Sequence, residues 1–262
     1  MIEQDLNELE ERSIFILREA KSKFKNIAAL WSMGKDSTTM LALARKAFLG
    51  KVPFPVIHID NGIDFPETYQ FREMLAKKWK LNLIVAKSKI KPEISGFSCC
   101  GANKTEALKK VMKEYKFDAL VVSIRRDEHG IRAKERVFSE RDKNFRWNYK
   151  NQSAELWDDY SSKLDLSGHI RVHPILDWNE IDIWNYIKKE RIPVNPLYFS
   201  RNGYRYRSLG CTHCTVPLKS NAKNVDDIIK ELKSTKTEER SGREQDKERE
   251  YVMEKLRALG YM

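Results

Sequence analysis

Apolar residues recur at helical spacing through Leu6, Leu9, Ile14, Leu17 and Ala20, which predicts an amphipathic opening helix over Asp5–Lys23. Short apolar runs then alternate with helical stretches. The pattern predicts strands at Ile27–Trp31, Val56–Ile59, Leu81–Ala86 and Ala119–Ile124, and helices at about Ser37–Phe48, Pro66–Trp79 and Lys104–Tyr115. A short strand at Ile170–His173 and a helix at Asn179–Lys189 follow. Strands separated by helices of this length need crossover connections. The predicted fold class is therefore α/β, a mostly parallel twisted sheet with helices on both faces.

In such sheets ligands sit outside the carboxyl ends of the strands. Three polar clusters fall there, Ser32–Ser37, His58–Gly62 and Ser123–Glu128, so a single site is expected where they converge. After Arg132 the sequence turns charged and aromatic-rich, which suggests an insertion or lid at about 132–165 within a domain spanning 1–200. Residues 201–262 are expected to form a second segment. In it, Arg201–Arg207 places three arginines and two tyrosines ahead of a cysteine pair, and a charged C-terminal extension follows with a helix predicted at Glu244–Leu259. No internal repeat or low-complexity tract interrupts this order.

The 262 residues are 41% hydrophobic, enough for a substantial core. The longest apolar runs are strand-length, far below the roughly 20 residues that span a bilayer. No membrane segment is expected. The first residues carry acids and no apolar h-region, so the expected compartment is the cytoplasm. A net charge of +11 creates a field that attracts nucleotide phosphates, nucleic acid or an acidic partner, although a basic soluble surface alone would give the same balance.

The segment Ser32-Met33-Gly34-Lys35-Asp36-Ser37 runs from a predicted strand through a glycine into a helix. Such a corner points backbone N–H groups and the positive end of the helix dipole at an anion. Lys35 adds a point charge, and Ser32 and Ser37 add hydroxyl donors. It is not a Walker A loop. That pattern needs a glycine where Ala29 stands and a serine or threonine where Asp36 stands.

These six residues resemble the PP-loop of enzymes that split ATP between its α and β phosphates. The resemblance extends through Ala44–Phe48, Pro53–Pro55, Arg125–Glu128, Arg132–Arg136, Glu155–Trp157, Leu209–Cys211, Ser220–Ala222 and Glu239–Arg243, which look like the small subunit of bacterial ATP sulfurylases. It covers most of the chain and places it in the phosphoadenylyl-sulfate reductase-like superfamily, although family members often carry a second glycine where this chain has Met33. The resemblance implies ATP bound by Ser32, Met33, Gly34, Lys35, Asp36 and Ser37, with His58, Asp60 and Gly62 near the adenosine. It further implies Arg125, Arg126, Arg132 and Lys134 facing phosphates or an oxyanion. A pentavalent α-phosphorus needs cations and usually Mg2+ to absorb charge. Lys35, Asp36, Arg125 and Arg126 are the candidate catalytic residues.

The four cysteines fall in two pairs, Cys99-Cys100 and Cys211/Cys214. In a reducing compartment such pairs favour metal or redox work over disulfides. The pattern is similar to the 4Fe–4S ligand set of iron–sulfur adenylyl-sulfate reductases and of DNA phosphorothioation ATP pyrophosphatases. Zn2+ in a tetrahedral site of four thiolates is the alternative, while a thioredoxin-like pair or four unconnected core cysteines remain open. Because no cysteine follows Cys214, reduction of an adenylyl sulfate through a C-terminal cysteine is not expected. The leading expectation is an ATP pyrophosphatase that activates a phosphate for sulfur insertion, with a cysteine desulfurase, DNA-modification partners and DNA itself as partners. The second is a sulfate adenylyltransferase working beside a GTPase subunit. The third is an adaptor that binds nucleotide or DNA without chemistry.

Overall fold

The run Ile27-Ala28-Ala29-Leu30 has no polar side chain on either pleat, so it is stable only where helices cover both faces of a sheet. In the computed structural model it is strand β1 (Ile27–Leu30), and all four residues are buried. The structure describes residues 6–88, 97–128, 130, 132–148, 152, 155, 168–235 and 239, with the backbone alone described for residues 97–103.

Strands β2 (Val56–Asp60), β3 (Leu83–Lys87), β4 (Ala119–Val121), β5 (Phe138–Arg141) and β6 (His169–Val172) join β1 in a six-stranded sheet of order β3-β2-β1-β4-β6-β5. Every pairing is parallel except that of β5 with β6. The chain passes from β1 outward to β2 and β3, then returns to β4 on the other side of β1. That reversal opens a crevice at the carboxyl ends of β1, β2 and β4.

Helix α1 (Leu6–Lys23) packs on α2 (Lys35–Ala47), α2 on α5 (Glu180–Glu190) and α5 on α6 (Val225–Ser234), while α4 (Phe97–Glu114) lies against β2 and β3. Helix α3 (Pro66–Trp79) starts on a proline, whose fixed φ suits a first turn, and stops at Lys80 in the left-handed conformation, φ 52°. Helix α5 opens with a capping box in which Asn179 and Asp182 exchange side-chain bonds to each other's backbone N–H. A two-stranded hairpin, β7 (Tyr204–Arg205) with β8 (Leu218–Lys219), follows α5. Among the described residues no helix is long and apolar enough to cross a membrane.

Three elements differ from the sequence pattern. Helix α2 begins at Lys35 instead of Ser37, which brings Lys35 and Asp36 into its first turn. Helix α4 begins at Phe97, ahead of the expected Lys104, and its first turn carries Cys99 and Cys100. Strand β5 lies inside the stretch expected as an insertion. It escaped the pattern because one of its faces buries polar residues, Ser139 and Arg141, which Glu135 satisfies at 2.6 and 2.8 Å. The helix expected at Glu244–Leu259 and most of the 149–167 stretch lie outside the described residues.

Candidate active site

The loop after β1 turns through Met33, whose φ of 57° lies in the left-handed region. That conformation is where a second glycine would cost least. Gly34 follows as the N-cap of α2 with no side-chain cap of its own. A β-carbon there would meet Ser32 Oγ and Tyr198 Oη at 3.3 Å each. Ser37 Oγ accepts the Ser32 N–H at 3.2 Å and lies 3.1 Å from Ser32 Oγ, so the two hydroxyls close the turn. The Lys35 N–H donates to Tyr198 Oη at 2.8 Å.

An open cavity lies directly on this corner. Of the residues expected to bind nucleotide, Ser32, Gly34, Lys35, Asp36, Ser37, His58 and Arg132 line it, joined by Asp64, Lys104, Ser123, Glu128 and Tyr198. The three polar clusters therefore meet at one place. Met33 is buried beside it, and Arg125 lies beneath, fully buried and bonded to the lining residue Asp36.

Asp60, Gly62, Arg126 and Lys134 are not among the lining residues. The Asp60 carboxylate accepts from the Gly62 N–H at 2.8 Å, from Tyr69 at 3.0 Å and from Arg72 at 3.3 Å. Arg126 sits on a 3-10 turn that pairs it with Asp177 instead. Lys134 is exposed on the following turn.

Behind the loop lies a dense charge cluster. Lys35 Nζ is 3.4 Å from Asp36 and 3.9 Å from Glu180, and it donates to Glu239. Arg125 bonds to Asp127 at 2.9 Å and also reaches Asp36 and Glu239. Arg207 bonds to Glu180 at 2.7 Å. Burial opposes the Lys35 charge, yet Asp36, Glu239 and Glu180 raise its pKa above the ordinary lysine value. For Glu239, burial works against ionisation, but Arg125 and Lys35 hold its carboxyl well below the usual range. Glu180 moves the other way, pushed up by burial and by Glu239. Burial and the Arg72 guanidinium push His58 down to about 4, so its imidazole is neutral at neutral pH.

Two sets of side chains put ligand atoms within 4.8 Å of one another: His58, Asp60 and Asp64, and Asp36, Glu128 and Glu239. The second set offers the hard carboxylate oxygens that suit Mg2+, and Asp36 and Glu128 line the cavity. Cys211 and Cys214 are both buried and share a turn in which the Cys214 N–H donates to the Cys211 carbonyl at 3.2 Å. They form a small cluster of their own with Ile63, directly after the lining residue Gly210. Cys99 and Cys100 are placed in the first turn of α4, with their side chains outside the described set.

Tyr198, Glu180, Arg207, Lys104 and Glu239 were not singled out from sequence as site residues. The local signals were the arginine-rich Arg201–Arg207 stretch for Arg207, the Glu239–Arg243 stretch of the family resemblance for Glu239, and the Asn179-x-x-Asp182 capping pair, which fixes the start of α5 and with it Glu180.

A family model, that of the phosphoadenosine phosphosulfate reductase domain, matches residues 26–217. The chain belongs to this family. Membership makes it one of the PP-loop ATP-using enzymes, the class its Ser32–Ser37 loop predicts. Among individual proteins, the sulfate adenylyltransferase subunit 2 of Baumannia cicadellinicola is 41% identical over 98% of this chain and 97% of its own length. That of Psychromonas ingrahamii is also 41% identical, with the same coverage. In fold the phosphosulfate reductase-domain chain is similar to the FMN adenylyltransferase of Candida glabrata solved with ATP, at TM-score 0.60, 19% identity, 98% of this chain and 83% of that one. It is likewise similar to the phosphoadenylyl-sulfate reductase of Candida auris, at TM-score 0.54, 19% identity, and 82% and 98% coverage.

Proposed function

We propose that this chain is an ATP-cleaving adenylyltransferase that joins the α-phosphate of ATP to sulfate, forming adenylyl sulfate and pyrophosphate beside a GTPase subunit. The observation that carries the reading is whole-chain likeness, 41% identity over 98% of the sequence, to a sulfate adenylyltransferase subunit 2. The cavity on the loop supports it. The Asp36 and Ser37 N–H groups in the first turn of α2, the Ser32 and Ser37 hydroxyls and the Lys35 ammonium take the β and γ phosphates. A sulfate oxygen forms a bond to the α-phosphorus while the α–β bridging bond breaks, and pyrophosphate leaves with the electron pair. Lys35 and Arg125 stabilise the charge that gathers on the leaving group. Arg132 and Lys104, both on the cavity wall, supply positive charge for the acceptor. Asp36 and Glu128 would hold Mg2+, which when bound neutralises phosphate oxygens.

Sulfate is fully ionised at neutral pH, so its attack needs no general base. This agrees with a site in which the lining histidine, His58, is buried and neutral at neutral pH. The relatives favour sulfate over a DNA phosphate as acceptor. The cysteines support one addition: Cys211 and Cys214, with Cys99 and Cys100, would form a thiolate site for a 4Fe–4S cluster, or for Zn2+, next to the cavity.

The test of the acceptor is pyrophosphate release from ATP by the purified chain, with and without sulfate, a GTPase subunit and DNA. Release that requires sulfate and rises with the GTPase supports the reading. Release that requires DNA and a cysteine desulfurase, and ignores sulfate, overturns it in favour of phosphorothioation.

A further inference from the structure

The two cations that the proposed function assigns to the pyrophosphate end of ATP, Lys35 and Arg125, are sealed from solvent at 1% and 0% exposure. Among the described residues four carboxylates pair with them. Asp36 belongs to the first turn of α2. Asp127 also accepts the Glu180 N–H at 2.8 Å, and Glu180 also accepts from Arg207 at 2.7 and 3.1 Å. These acids have anchors of their own.

Glu239 differs. Among the described residues its only hydrogen-bond donors are Lys35 and Arg125, which it reaches from 204 and 114 positions along the chain. One carboxylate oxygen takes the ammonium and the other takes the guanidinium. That is how the edge of a phosphate would bind the same pair. The cluster also limits what can be added. Among the described residues Asp36, Asp127, Glu128, Glu180 and Glu239 pair with Lys35, Arg125, Arg132 and Arg207, so acids already outnumber cations by one. A phosphate chain entering without the loss of a carboxylate would leave buried charge uncompensated.

We propose that the Glu239 carboxylate occupies the place of the terminal phosphates at Lys35 and Arg125, that ATP or pyrophosphate binds by displacing it, and that its return expels pyrophosphate after the α–β bond breaks. This rests on the reading that the Ser32–Ser37 loop takes the pyrophosphate end of ATP. Glu239 thereby sets how tightly the leaving group is held.

The experiment measures binding of inorganic pyrophosphate to the full chain by calorimetry, in the absence and presence of Mg2+, for the wild type, Glu239→Gln, Glu239→Ala and Lys35→Ala. Relieved of a competitor that makes two charge-assisted bonds, both Glu239 variants are expected to bind about tenfold tighter or better. They should also show a larger rise in unfolding temperature on adding pyrophosphate, a readout that persists even if the variants are less stable when empty. Variants that bind no tighter overturn the proposal. So do variants that bind more weakly only with Mg2+, the result expected of a metal ligand. If Lys35→Ala leaves wild-type pyrophosphate binding unchanged, the loop reading fails along with the Glu239 proposal. If Lys35→Ala abolishes binding while the Glu239 variants gain nothing, only the Glu239 proposal fails.

Discussion

Tyr198 Oη accepts the Lys35 N–H at 2.8 Å, tying the 3-10 turn after α5 to the first turn of α2. The phenol is buried and edge-on to Trp184, with ring centroids 5.4 Å apart. Burial, with Asp36 and Glu239 nearby, pushes its pKa up to about 12, so the oxygen keeps its proton. Tyr198→Phe preserves the ring but strands a buried N–H. The expected cost is about 1–3 kcal/mol, read as a lower denaturant midpoint at unchanged slope.

Met33 makes the opposite kind of prediction. Its left-handed φ of 57° strains any side chain, whereas its buried thioether packs in the core. Met33→Gly and Met33→Ala lose the same packing, but only glycine relieves the backbone. Met33→Gly should be the less destabilising of the two by about 1 kcal/mol, the reverse of the usual order, when both are unfolded in denaturant.

Under β5, Glu135 and Arg141 form an ion pair at 2.8 Å with both side chains at 0% exposure. Removing one partner leaves the other charge buried. Glu135→Ala is expected to cost about 3–5 kcal/mol in equilibrium unfolding, while an exposed pair such as Lys188 with Asp226 should cost under about 1 kcal/mol.

His58 sets a pH dependence. Its folded pKa, about 4, lies below its ordinary 6.5, so between those values the unfolded chain binds the proton that the folded chain refuses. Stability is therefore unaffected above pH 6.5 and falls as the pH drops toward 4, by up to about 3 kcal/mol from this group. Below that both states are protonated and the loss levels off. His58→Gln should flatten that part of a stability-against-pH curve. An unchanged slope would mean another group carries it.

The fold was legible because its information is local. Runs such as Ile27–Leu30 and the helical spacing of α1 report their own burial. The loop was legible for the same reason, since strand, turn and helix are contiguous from Ile27 to Ala47. The charges behind it were not. Tyr198 reads locally as a core aromatic, Glu180 as an ordinary first-turn acid and Glu239 as one charge in a charged tail; only tertiary approach from 163 and 204 positions away brings Tyr198 and Glu239 to Lys35. Neighbourhood in sequence also misleads. Arg125 and Arg126 are adjacent, but a 3-10 turn sends one inward to Asp36 and the other out to Asp177.

The most direct test of the central claim is to identify the bond that breaks. ATP labelled at the α- and at the γ-phosphate is incubated with sulfate and the wild-type chain or Lys35→Ala, and the products are separated. The α-label is expected in AMP or adenylyl sulfate and the γ-label in pyrophosphate, with turnover reduced by about a hundredfold or more in Lys35→Ala. ADP with free phosphate, or full turnover without the lysine, would contradict the account.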